Sequence, residues 1–276
     1  MLFTLFHYKN MMVAFQYSII IMSTIATIFL CVPAFFLDEK KYSIGKPHAL
    51  GLKESLKPVF TNRNFFLFIV ADFAYFIAIT MIGTGALYYV KVLLGLDESF
   101  GTVMILVMLL LSWLCYPLVN TLARRYSKKK LILSMLYVVG ALFILTYFLG
   151  RMPFAPELQG IMISVLFAFP LAVLGILPPV VLAEITHLDA HTSKENKEAV
   201  FFAVRSLFDK FGQTFGIVIF TILTHNYGKD PGHDMGIRLS GIFGFSMCFL
   251  AASIFAFYNE KHISSGVQKM ESEMEG

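Results

Sequence analysis

Residues 65–90 read FFLFIVADFAYFIAITMIGTGALYYV, with Asp72 the only charged side chain among them. At 1.5 Å per residue a helix of this length rises about 39 Å, more than the ~30 Å hydrocarbon core of a bilayer. A soluble helix would wet one face by placing polar residues every third or fourth position, and this run does not. It reads as a membrane-crossing helix. Working outward, the same reading finds six more, giving Val13–Leu37, Phe65–Val90, Gly101–Ala123, Leu131–Leu149, Gly160–Leu182, Ala199–Thr224 and Ser240–Phe257. The sixth is the least apolar, because Arg205, Asp209 and Lys210 interrupt it.

Composition agrees with that count. The 276 residues are 57% hydrophobic and 14% charged, and the mean hydropathy is +0.72. Such a chain lies outside the range of soluble globular domains and predicts an all-α, polytopic transmembrane bundle whose main solvent is the lipid bilayer. The net charge of +4 is small and its cations sit in loops, which gives no footprint for a nucleic acid. Cys31, Cys115 and Cys248 all fall in apolar runs, where a thiol behaves as a small hydrophobe, so no disulfide or metal framework is expected.

Loop charge supplies an independent check on the crossings. With the N-terminus outside, the inward loops carry fifteen Lys and Arg, including Arg124, Arg125 and Lys128, and the outward loops carry only Lys9, Lys91, Arg151, Lys229 and Arg238. That bias follows the positive-inside rule only if the sixth segment crosses, and it puts the C-terminus in the cytoplasm. Residues 1–10 lack the flanks of a cleavable signal peptide, so the first helix is expected to stay. The polar stretch 38–64 is long for a connection between packed helices and reads as a cytoplasmic linker. The expected organisation is thus 1–37 as the last helix of one bundle, 38–64 as the linker, 65–258 as a six-helix bundle and 259–276 as a cytoplasmic tail. A single helix does not make a bundle, so further N-terminal helices or a partner chain are expected to complete the assembly.

Lipid does not tolerate the charges inside these segments. A mid-helix ion costs at least about 2.5 to 3.5 kcal/mol on insertion scales, so Asp72, Arg205, Asp209 and Lys210 must face protein or a water-filled cavity. Lys210 lies roughly 16 Å along the sixth segment, near the bilayer midplane. Asp72 and Arg205 sit at similar depth and could pair, whereas Arg205 and Asp209, four apart on one face, could pair locally instead. These charges either lock helices together or serve a solute path, and a midplane Lys210 either orients a polar solute, moves a proton or neutralises an aspartate. Pro170, Gly175, Pro178 and Pro179 in the fifth segment permit hinges. Gly212 and Gly216 in the sixth allow either motion or close helix packing. His187, Asp189 and His191 are the nearest approach to a metalloenzyme cluster, but they alternate through what reads as a charged loop, so no enzyme is expected.

The stretch Ala183–Gln213, AEITHLDAHTSKENKEAVFFAVRSLFDKFGQ, resembles the passage between helices 10 and 11 of the glycoside-pentoside-hexuronide cation symporters, the melibiose carrier-like branch of the major facilitator superfamily. Three further stretches match in order: TNRNF at Thr61–Phe65, GALYYV at Gly85–Val90 and the basic LARRYSKKK at Leu122–Lys130. His187, Ala199 and Pro117 depart from that pattern, the first standing where an acidic residue is usual. The resemblance implies a partial major facilitator fold of about seven membrane helices, equivalent to helices 6 to 12. It also implies a sugar or glycoside symporter of the cell membrane driven by Na+ or H+, with no other cofactor. By the likeness Lys210, with Asp72 and Gln213, lines the solute path, and Arg205 and Asp209 act as coupling charges. Arg124, Arg125, Glu184, His187 and Asp189 form the cytoplasmic gate. The rival readings are a drug or lipid carrier of the same superfamily and a half-carrier with a structural role.

Overall fold

The computed structural model describes residues 11–36, 60–193 and 197–266. They belong to two compact units, residues 1–50 and 51–276. The first contains helix α1 (Met11–Phe36), apolar over Gln16–Val32, in which the hydroxyls of Thr24 and Thr27 donate to the carbonyls of Ile20 and Ser23 at 2.7 and 2.8 Å. A hydroxyl that bonds its own helix in this way has its donor satisfied without water. The linker expected at 38–64 lies outside the described residues as far as position 59, and the tail outside them after 266.

Among its described residues the second unit holds six membrane-length helices: α2 (Arg63–Tyr88), α3 (Glu98–Arg125), α4 (Lys128–Tyr147), α5 (Pro156–Ser193), α6 (Glu198–Tyr227) and α7 (Met235–Phe255). A π-helical turn, Tyr89–Leu93, extends α2. All six are long and apolar enough to cross a membrane, and no strand occurs among the described residues. The chain is an all-α polytopic bundle, as its hydropathy predicts.

The helices pack in a fixed order of neighbours. The most extensive pairs are α3 with α5, α5 with α4, α4 with α7, α7 with α2, and α2 with α6, and α6 also packs on α7. A continuous core runs through them, with Phe65 edge-on to Phe201 at 4.8 Å and Phe143 edge-on to Phe167 at 6.2 Å. The two ends of this order are the exposed ones. Only 11% of the apolar window of α3 and 22% of that of α6 are buried, against 56% for α2 and α5.

Helix ends follow local chemistry. Asn62 caps α2 by accepting from the Phe65 N–H, Ser127 caps α4 by accepting from Lys130, and Gly228, at φ 94°, ends α6 with a backbone that other residues rarely adopt. Between α4 and α5 the side chain of Gln159 accepts from the Gly150 N–H and donates to the carbonyls of Met152 and Phe154, so the turn needs no water.

Three placements differ from the sequence reading. The Ala183–His191 stretch, expected as a loop, continues α5 to Ser193. No glycine or proline follows Pro179 there, and buried Ile185 with half-buried Leu188 keeps an apolar stripe going. Glu184, His187, Asp189 and His191 are therefore helical. Arg124 and Arg125 lie in the last turn of α3 rather than in the turn after it, which is only Tyr126–Ser127. Arg238, counted as an outward loop charge, is in the first turn of α7 and 4% exposed.

Candidate functional site

The seam between α2 and α6 is set by glycine. A Cβ at Gly212 would lie 2.9 Å from Phe76 Cβ and 3.0 Å from the Phe73 carbonyl, and one at Gly216 would lie 2.7 Å from the Ile77 carbonyl. Only a residue without a side chain lets the two backbones approach so closely. The packing role foreseen for these glycines accounts for them.

One helical turn further along, that seam brings the membrane charges together. Arg205 Nε donates to Asp72 Oδ2 at 2.7 Å and lies 3.9 Å from Asp209 Oδ2, so the interhelical pair dominates over the local one. The guanidinium also stands over the ring of Phe68, 5.6 Å from its centroid, which suits a planar cation more than an ammonium. Two carboxylates thus share one guanidinium, and Asp209 Oδ1 is buried without a hydrogen-bond partner.

Lys210 stands apart from this cluster. It is exposed and donates to Gln213 at 3.2 Å, pairing with neither aspartate, while the Thr214 hydroxyl bonds back to the Lys210 carbonyl. Around this polar strip the outer face of α6 is apolar, with Leu207, Phe211 and Phe215 each about half exposed.

The residues expected as a gate do not form one cluster. Lys128, at the start of α4, pairs with Glu184 of α5, and Asn62 Nδ2 donates to Asp189 Oδ1 at 3.2 Å. Arg124, Arg125 and His187 are exposed, with no described hydrogen bond or ion pair. At this end Ser127 also bonds Glu260, and Lys129 Nζ donates to the carbonyls of Ala256 and Tyr258, tying α4 to the chain beyond α7. Burial pushes the Tyr258 phenol above its ordinary range.

A second lock, absent from the sequence reading, closes the opposite ends of α4 and α7. Arg238 pairs with Asp234 at 2.7 Å, and its other nitrogen donates to the carbonyls of Tyr147 and Leu149 at 2.5 and 3.0 Å. Those carbonyls stand at the end of α4, where the helix supplies no donors of its own. The Arg238 hydrogen bonds hold the Asp234 carboxyl below the usual carboxylate value. An arginine four residues after an aspartate at the head of an apolar run was the available signal. Among the described residues no group of three or more His, Cys, Asp or Glu could hold a metal ion.

A bundle of apolar helices with charges paired inside it and a polar strip on one outer helix is that of a multi-pass membrane protein. The chain belongs to the MFS/sugar transport protein family, whose sequence model matches residues 1–259. It is a multi-pass major facilitator transporter, and the family and helical fold indicate transport rather than enzymatic catalysis. No curated protein and no solved structure matches the chain.

Proposed function

We propose that the chain forms the C-terminal bundle of a sugar or glycoside symporter of the melibiose carrier-like branch, driven by a Na+ or H+ gradient across the cell membrane. The observation that carries this reading is Lys210. An amine exposed in the middle of a membrane-crossing helix needs water or protein around it, so the α6 face that bears it lines a hydrated path. Lys210 and Gln213 then offer three or more donors and one acceptor to a sugar hydroxyl at mid-depth.

The least buried helices, α3 and α6, meet a second bundle there, supplied by further N-terminal helices or by a partner chain, and the two bundles rock about the path. Asp72, Arg205 and Asp209 are the coupling charges of this half. Arg124, Arg125 and His187 face the second bundle as the cytoplasmic gate, with Glu184 steadied by Lys128.

The test is uptake of labelled sugars by the assembled carrier in proteoliposomes, with and without Na+ and H+ gradients. Gradient-driven accumulation that falls at least about tenfold in Lys210→Met and partly returns in Lys210→Arg supports the reading. Undiminished uptake in Lys210→Met removes the lysine from the path. Movement of a drug or lipid in place of sugar transfers the chain to the rival branch.

A further inference from the structure

A cavity of about 480 Å³ opens where the start of α2, the end of α5 and the segment after α7 converge. Its polar lining includes Asn62, Arg63, Asn64, Asp189, Asn259 and His262. The volume is within the roughly 300 to 1,000 Å³ of small-molecule sites.

The two charges in this wall are at the wrong helix poles. Arg63 is the first residue of α2, where the helix dipole is already positive and an acid would be favoured. Asp189 is one turn from the end of α5, where the dipole is negative and a base would be favoured. Each dipole reinforces its side chain, so the cavity has a positive end on α2 and a negative end on α5. Neither charge meets an opposite one among the described residues. Asp189 takes a single hydrogen bond, from Asn62, and its Oδ2 is buried with no partner. A carboxylate has room for about four donors, and a buried oxygen left bare costs about 1 to 3 kcal/mol.

We propose that this cavity binds a zwitterionic phosphoamine, with its ammonium on Asp189 and its phosphate on Arg63. The ammonium supplies donors that the bare Oδ2 lacks, and the phosphate matches the guanidinium and the amides of the wall. Phe257, which also lines the cavity just past the end of α7, is 71% exposed and offers an aromatic face to a lipid, so the headgroup of phosphatidylethanolamine is one source and a soluble phosphoamine the other. Occupancy is read without transport, so this site stands or falls apart from the sugar path.

The experiment is native mass spectrometry of the full chain in micelles doped with phosphatidylethanolamine or phosphatidylglycerol, with O-phosphoethanolamine as soluble competitor. Phosphatidylethanolamine is expected to remain bound and phosphatidylglycerol to leave. Asp189→Asn and Arg63→Gln each weaken retention about tenfold, and Arg63→Lys keeps most of it. Displacement by O-phosphoethanolamine supports a site open to the soluble phosphoamine, and retention against it supports a site for the lipid. Equal retention of the two lipids overturns the proposal, as does unchanged retention in Arg63→Gln. Arg63 is exposed, so its two variants carry the test even if Asp189→Asn does not fold.

Discussion

Arg205 is the side chain on which the charge balance of the bundle turns. Replacing it with Gln leaves Asp72 and Asp209 as facing carboxylates with nothing between them, and the expected loss is about 3 to 5 kcal/mol. The double variant Arg205→Gln with Asp72→Asn should recover part of that, because the facing carboxylates are reduced to Asp209 alone. Thermal unfolding in detergent measures both, and equal losses in single and double variants would contradict the pairing. Asp234 gives a pH signature at the other end. Its folded pKa lies below the ordinary 3.8, so its contribution is full above that value and is lost as pH falls through the lower folded value. Stability should therefore drop in acid below about pH 4, and Asp234→Asn should flatten that limb of the profile. The membrane charges were legible because apolar sequence makes each one conspicuous. Their partners were not, since Arg205 reached both Asp72 and Asp209 by spacing alone and only the packing of α6 on α2 ranks them.

Between helices, the glycines separate into two kinds. Gly216 abuts the backbone of α2, and Gly216→Val should push α6 away and cost about 1 to 3 kcal/mol together with uptake. Gly175 has open space where a Cβ would go, so Gly175→Ala should be tolerated or slightly stabilising. Matched unfolding curves check the contrast, and a tolerated Gly216→Val would mean the seam is looser than drawn. Segment positions were readable from hydropathy to within a few residues at most ends. The large miss was the end of α5, because charged residues in Glu184–His191 suggest a loop while their spacing keeps a helix with one apolar stripe. Charge signals solvent and says little about backbone shape.

Across the molecule, the basic ends of α3 and α4 set orientation. If the Arg124 and Lys128 end is cytoplasmic, a green fluorescent protein joined after Gly276 should fluoresce, and alkaline phosphatase inserted at the Gly150 turn should be active. The reverse pattern would invert the bundle. The overall class was evident from composition, because no soluble core needs so much apolar surface, and the six crossings of the second unit followed from the same physics. The order of helix neighbours was not evident, since any two apolar faces suit each other in lipid and small residues decide which pair.

Asn62 and Arg238 carry a consequence for biosynthesis. The Asn62 carbonyl caps a turn three residues away, yet its amide reaches Asp189, 127 positions later. The final carbonyls of α4 are likewise served by Arg238, about ninety residues downstream. A ribosome delivers α2 and α4 well before α5 and α7, so both early helices enter the bilayer with unfinished polar ends. The nascent bundle is completed from its last helix backwards, and a chain arrested before α7 would leave α4 open to quality-control proteases.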